Sequence, residues 1–502
     1  MADILNKLNS ANYVTVKVTD NAIVNGNNLL AAYALAKTTS PNGTAKNATN
    51  RLAVILPVAK YDLGSQSLIL DTQYVDIVGS TSDRSKHYIT SNVGETSRGT
   101  VEQTENDVKL YNLTIENSNT TYAQSNGNST DPAGYFPNSN LPLVYIENVR
   151  FLSNDTNVFS MRMTIEYSGT YIDCTGGDYS FGGGNAGGTI SGTLTDCTGG
   201  DFSFGGATYN GGTLSGTLTN CTGGIYSFGS GGEGGGTLSG TLTNCTGGIY
   251  SFGYGGIGGG TLTSTSVFTN CIGGEFSFAG GGTGGTISGT FTGCTGGNYS
   301  FGGTNDYYTG GTLTSTSKFI NCTGGNYSFG GSLDIAGTLS GTFKDCTGGA
   351  YSFGGGDIGG TLEGTFTDCA GGLASFGGAI SLEGGTLSGT FTNCTGGNYS
   401  FGGGFSGGTL TSTSVFINCT GGNYSFGSGG DDTGGTLSGT FKDCTGGSNS
   451  FGGGYNGGNL TSTSVFTNCT GGGYSFGGGD TAGTLSGTFK DCKGGTGSFA
   501  NL

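Results

Sequence analysis

The sequence predicts an all-β fold, a parallel β-helix (β-solenoid), with irregular N-terminal coils behind a short capping helix and then fourteen regular glycine-rich coils. Three observations predict it. All fourteen cysteines lie between 174 and 492, at gaps of 23 to 28 residues. A phenylalanine stands seven residues after every one of them, from Phe181 to Phe499. Between these markers apolar residues alternate with Thr and Ser, as in "GTLSGTFTN" around 386–393. Self-similarity at this period marks coils that bury their apolar faces by stacking on neighbours. Helical repeats are excluded, because Gly, Thr and Ser are poor helix formers.

The order of elements follows from the residues. Residues 1–40 form an N-terminal segment in which "NGNNLLAAYALAK" (25–37) reads as a short amphipathic capping helix with an Asn start. Residues 41–170 read as irregular coils: "RLAVILPVAKYDLGSQSLILDTQYVDIVGS" (51–80), "DVKLYNLTIENS" (107–118) and "LVYIENVRFLS" (143–153) alternate as short strands. The polar stretches 81–106 and 119–142 read as loops.

Residues 171–502 read as the regular solenoid. In 386–393, Leu387, Gly389 and Phe391 fall on one side of a single strand, and Thr386, Ser388, Thr390 and Thr392 on the other. "NYSF" reads as a second short strand, with Tyr399 and Phe401 facing one way. "CTGG" and the variable "GGGFSGG" read as glycine-rich corners. Four coils carry two extra residues, "TLTSTS" at 261–266, 312–317 and 409–414 and "NLTSTS" at 459–464. The expected strand gains two residues there, which keeps the same side chains inward. In-register stacking at ~4.8 Å per coil gives a rod of roughly 65 Å. It also turns Cys174, Cys197, Cys221, Cys245 and Cys394 into part of a cysteine column, and Phe181, Phe204, Phe228, Phe252 and Phe401 into part of an aromatic stack. Asn or Asp precedes the cysteine in thirteen coils. Two such neighbours, Asp345 and Asp368, are both acidic, so the position is expected at a corner, capping turn amides.

A resemblance rests on the N-terminal third. A short helix, then Pro57 to Tyr61 in a "P-x-x-x-Y" pattern, then Leu68 to Gly79 in "L-x-L-x-x-x-x-V-x-I-x-G", resembles the opening of the pectin-lyase-like right-handed parallel β-helix of bacteriophage tail fibres and tailspikes. The resemblance spans about residues 20–155. It implies that the helix plugs the first coil. The fold hosts lyases, hydrolases, adhesins and passive spacers, so it does not choose a function. The glycine-rich repeat departs from tailspike shafts.

Composition narrows the classes. Net charge is −16 from 33 acids and 17 bases, so a phosphate-neutralising surface is not expected and nucleic acid is not a partner. "MADILNKLNS" has no apolar core of a signal peptide and no run is long enough to span a membrane. The chain is expected to fold in the cytoplasm, with its thiols reduced and buried. Repeated "NCT" and "NYS" acceptors, as at Asn220, Asn298, Asn393 and Asn398, argue against passage through the ER. No CxxC pair and no repeat histidine suggest zinc, and no fixed Asp suggests a calcium β-roll. No cofactor is expected.

Catalysis has few candidates. Glu233, Asp306, Asp334, Asp357, Asp431, Asp432 and Asp480 share no fixed offset, and His87 reads as a solvated loop residue. A glycosidase pair would have to come from Asp62, Asp71, Asp76, Glu116 or Glu147. The expectation is that the chain is not an enzyme. Binding candidates are the rings of the variable corner: Tyr209, Tyr254, Tyr307, Tyr308, Phe405 and Tyr455. The expected role is a structural or adhesive rod of a phage tail fibre or tailspike, located in the virion and engaged in host attachment. Expected partners are copies of the chain (a trimer, or end-to-end stacking through an uncapped last coil), other virion proteins, and a cell-surface glycan. The alternatives are a self-assembling extracellular or surface filament, a Thr-ladder ice-binding protein, and a polysaccharide-degrading β-helix enzyme.

Overall fold

The computed structural model describes residues 6, 10–94, 99–119, 134–136, 144–153, 161–163, 166–305, 308–430 and 432–499. They form two compact units: residues 1–231 with 240–248, and residues 232–239 with 249–502. Both are parallel β-solenoids.

The first unit opens with β1 (Ser10–Thr15), which pairs in parallel with β2 (Arg51–Leu56). Between them runs α1 (Ala22–Thr38), which starts a turn earlier than the sequence suggests because Asn21 caps it. The Asn21 side chain accepts the Ile23 and Val24 amides at 2.9 and 3.2 Å. At the far end Lys46 Nζ donates to the carbonyls of Lys37 and Thr39 at 2.9 and 2.8 Å, neutralising orphan acceptors. The helix buries Leu29, Ala32, Tyr33 and Ala36 and packs against β2 and β3 (Ala59–Asp62). Gly26 marks the closest approach, since a Cβ there would stand 2.0 Å from the Asp62 carbonyl oxygen.

Further coils follow: β4 (Leu68–Leu70), β5 (Val75–Gly79), β6 (His87–Ser91), β7 (Val101–Gln103), β8 (Lys109–Asn117), β9 (Gly134–Phe136) and β10 (Tyr145–Ser153). β2 pairs with β5, β5 with β8 and β8 with β10, all parallel. β4, β7 and β9 build another parallel sheet. The stretch 81–106, expected as a loop, therefore contains β6 and β7. Within it Thr100 Oγ1 donates to the Glu116 carbonyl at 2.7 Å and Thr90 Oγ1 to the Glu116 carboxylate at 3.0 Å. Of the stretch 119–142, only 119 and the strand 134–136 lie within the described residues.

The regular coil differs from its sequence reading in three ways. The 386–393 segment is two strands, Thr386–Leu387 and Thr390–Thr392, with a corner at Ser388–Gly389. Alternation persists across the corner because both strands face one interior: Leu387, Gly389 and Phe391 are buried while Thr386 is exposed. The two extra residues of the long coils enter this corner instead of a strand. There residues 411–414 make a turn in which Ser414 Oγ donates to the Thr411 carbonyl at 2.7 Å. The inward set is preserved, since Phe391 pairs in register with Phe416. "NYSF" is a turn, with Tyr399 and Phe401 both left-handed at φ 58° and 52°.

Each coil interior is a set of ladders. In the second unit one phenylalanine stack runs from Phe252 through Phe401 to Phe499, with neighbouring rings 4.6 to 4.9 Å apart. A second, from Phe268 through Phe391 to Phe489, meets it edge-on, with Phe391 and Phe401 at 5.9 Å and 86°. In the first unit Phe181, Phe204 and Phe228 stack at 4.8 Å. From Phe268 to Phe499 each cysteine falls between the two phenylalanines along its coil; of the chain's cysteines none is in a disulfide and all but Cys492 are buried. Cys394 Sγ donates to the carbonyls of Phe366 in the preceding coil and Thr392 in its own, each at 3.4 Å.

Two Asx columns flank the core. Asn393 and Asn418, before their cysteines, sit at φ 54° and 53°. Their side chains bond to one another up the column: Asn393 Nδ2 to Asp368 Oδ1 at 2.8 Å and Asn418 Nδ2 to Asn393 Oδ1 at 3.0 Å. The expectation that this position caps turn amides is corrected here. That task falls to the residue four after cysteine, where Asn398 Oδ1 accepts the Asn423 amide and Asn423 Oδ1 the Ser448 amide, both at 2.9 Å.

Candidate functional site

The variable corner is a loop pinned at its base. In one coil the Gly408 amide donates to the Gly402 carbonyl at 2.9 Å, and in another Gly458 to Gly452 at 2.8 Å. Gly402 and Gly452 stand at φ 72°, so the closure needs glycine. A loop closed this way varies in length and content without disturbing the core.

These loops carry most of the candidate rings. Tyr209 on Ala207–Asn210, Tyr308, Phe405 and Tyr455 are 48, 57, 41 and 58% exposed. Tyr254 is half-buried instead, its ring 4.5 Å from that of Tyr250. Tyr307 lies outside the described residues, as do Asp306 and Asp431. Each of the described rings stands on a different coil.

Beside the loops runs a third aromatic column, five residues after cysteine, on the turn that stands where a second short strand is expected. Tyr299, Tyr327 and Tyr351 stack at 5.1 and 4.7 Å, and Tyr399 and Tyr424 at 4.9 Å. Burial pushes the Tyr327 phenol up to about 12. Ala374, Asn449 and Gly497 take the ring's place in three coils.

The five candidate acids of the N-terminal third each have a structural partner. Asp62 Oδ1 accepts the Gly64 amide at 2.9 Å, and Asp71 pairs with Lys37 at 2.7 Å. Asp76 is fully buried in a bidentate pair with Arg51, at 2.8 and 2.6 Å. Arg51 also reaches Asp107 at 3.1 Å, and Asp76 accepts the Lys109 amide at 2.9 Å. Glu116 accepts from Thr90 Oγ1 at 3.0 Å; Glu147 accepts from the Tyr111 phenol at 3.0 Å and from the Tyr145 phenol. In the second unit Asp432 Oδ2 accepts from Ser406 Oγ at 2.8 Å, tying two loops together.

His87, expected in solvent, is fully buried. Its ring replaces a Cβ that Gly79 lacks, which would lie 2.5 Å from His87 Cδ2. The Thr81 amide donates to Nε2 at 3.0 Å, leaving Nδ1–H for the Pro57 carbonyl at 3.3 Å. Burial lowers the His87 pKa below its ordinary 6.5. It is a neutral connector of backbone, and nothing in its sequence neighbourhood signals this.

A hollow of about 390 Å³ opens beside it, lined by Val58, Ala59, Lys60, Ser85, Lys86 and Tyr88. Lys60 Nζ lies 5.4 Å from the Tyr88 ring centre, across the β3–β6 register. Burial, then the bond to Glu116, pushes the Tyr88 phenol up to about 12. Lys86 is paired with Asp83 at 3.4 Å. Among the described residues no group of three or more His, Cys, Asp or Glu is placed to hold a metal ion. Among them, too, no helix is long and apolar enough to cross a membrane.

No family model matches the chain, and no curated protein matches it. Solved structures do. ORF18 of Geobacillus virus E2 is 10% identical over 69% of this chain and 63% of its own, with a TM-score of 0.32. Pectin methylesterase PemA from Erwinia chrysanthemi is 12% identical over 53% of this chain and 78% of its own, at 0.23. The catalytic unit of a thermostable GH87 α-1,3-glucanase from Streptomyces thermodiastaticus is 12% identical over 97% of this chain and 69% of its own, at 0.19. The chain thus spans less than two thirds of the phage protein.

Proposed function

We propose that this chain is a structural and adhesive component of a bacteriophage tail, a fibre or tailspike module used in host attachment. The observation that carries the reading is the in-register copying of one coil, with leucine, phenylalanine and cysteine repeated at the same depth from neighbour to neighbour. Such copying adds stiff length without a new packing problem at each step. The pinned corner loops can then vary their exposed rings while the interior stays constant. The Pro57–Tyr61 and Leu68–Gly79 patterns, similar to tail-protein openings, support the same reading.

In this reading the chain is not an enzyme, because its N-terminal acids serve turns, ion pairs and phenols. Negative-stain electron microscopy of the purified chain over a concentration series tests the reading. Discrete particles of fixed length that compete with phage for adsorption to host cells are the expected result. Particles that lengthen with concentration would favour a self-assembling surface filament. Host polysaccharides incubated with the chain should keep their length; shortening would turn the reading toward catalysis.

A further inference from the structure

The tyrosine column of the second unit has a break with a site in it. Tyr399 and Tyr424 stack at 4.9 Å, Asn449 takes the next place, and Tyr474 the one after. At the break lies a hollow of about 170 Å³ lined by Gly430, Asn449, Gly454, Tyr455, Tyr474 and Asp480. Three successive corner loops and two column positions meet there. Tyr455 and Tyr474 are 58 and 43% exposed, and Asp480 is exposed. Among the described residues, none of the Asn449, Tyr455, Tyr474 or Asp480 side chains makes a hydrogen bond or ion pair within the chain. The Tyr474 ring is nonetheless held in place. It lies so close over Gly497 that a Cβ there would be 2.7 Å from the ring, and Gly497 stands at φ 76°.

We propose that this hollow binds an organic ammonium group, the headgroup of a choline or the amine of an amino sugar. Among the described residues of the lining, two phenol rings and one carboxylate, with no basic residue, supply the attraction that a ring face and an anion offer a cation. The net charge of −16 adds a favourable field. The volume is below that of pockets for larger ligands and suits a single small headgroup. Asn449 makes the space: it keeps the left-handed backbone at φ 52° and omits the ring that its neighbours place there. The inference goes beyond the tail-protein reading and does not depend on it.

Saturation-transfer NMR and calorimetry on the full chain test it. The probes are choline and its neutral isostere 3,3-dimethylbutan-1-ol, and glucosamine with N-acetylglucosamine. Choline, glucosamine or both should bind at least tenfold more tightly than the neutral counterpart, and the two arms separate headgroup from amino sugar. Asp480→Asn should weaken binding about tenfold. Asn449→Tyr should abolish it while leaving the unfolding midpoint intact, because tyrosine already occupies this position at φ 54–58° in Tyr399, Tyr424 and Tyr474. Equal binding of charged and neutral probes, no saturation transfer from either cation, or binding that survives Asn449→Tyr would each overturn the assignment.

Discussion

Phe401 shows how one residue can be both strained and stabilising. Its left-handed backbone costs about 1–2 kcal/mol for an L-residue with a Cβ. Full burial of the ring returns about 1.5–3 kcal/mol, and stacking on Phe376 and Phe426 at 4.8 and 4.9 Å adds about 0.5–1.5 kcal/mol per pair. Burial and stacking outweigh the strain, which is why phenylalanine recurs where glycine would be easier. Phe401→Ala keeps the strain and loses the rest, so it should cost about 3–5 kcal/mol by urea unfolding. The neighbouring Tyr399 shows why its segment misleads as sequence. Two alternating left-handed residues, Tyr399 and Phe401, mimic the period of a strand, and periodicity does not encode the sign of φ.

At the scale of elements, the first coils depend on buried polar joints. Arg51 on β2 and Asp76 on β5 are 1 and 0% exposed and bond bidentately. Arg51→Met should cost about 3–5 kcal/mol, because Asp76 stays buried without its counter-ion. Adding Asp76→Leu should recover most of that loss, as read from the midpoint of the double variant. At the start of β6, His87 gives a pH signature. Its folded pKa is lowered first by desolvation, with Lys86 in the same direction and the Pro57 bond, Asp83 and Thr81 opposing. Below about 6.5 the unfolded chain takes the proton before the folded one, so stability should fall as pH drops from 7.5 to 5.5. His87→Gln should flatten that dependence, and a slope unchanged by the substitution would contradict this.

The same elements show what the sequence made legible. The strands at 51–80, 107–118 and 143–153 were readable because their residues alternate or run apolar. β6 and β7 were not, because buried Thr90, Ser91, Thr100 and Gln103 make a polar segment look exposed. The corner at Ser388–Gly389 left no trace either, since the inward set continues through it. At the ammonium site Asn449 was visible as the one column residue written Asn, but its meaning needed the loops that meet it.

For the whole molecule, the cysteines report integrity. Hydrogen bonding along the thiol column raises Cys322 and Cys369 but lowers Cys294, Cys346 and Cys444, so what shields the column is the burial of every thiol but Cys492. A thiolate reagent should therefore leave native thiols untouched, with half-exposed Cys492 the first to react. In denaturant all fourteen should label, and early labelling of Cys346 or Cys394 in the native state would contradict the sealed column. Coils with two extra corner residues pair with shorter ones without shifting register, as Thr390 with Val415 and Phe391 with Phe416. A short coil thus accepts a short or a long neighbour alike. A crossover between two repeats of the gene deletes or duplicates whole coils and leaves a new junction well formed wherever one of its coils is short. Length in this protein is then a trait that inheritance can change in discrete steps, without a single new side chain.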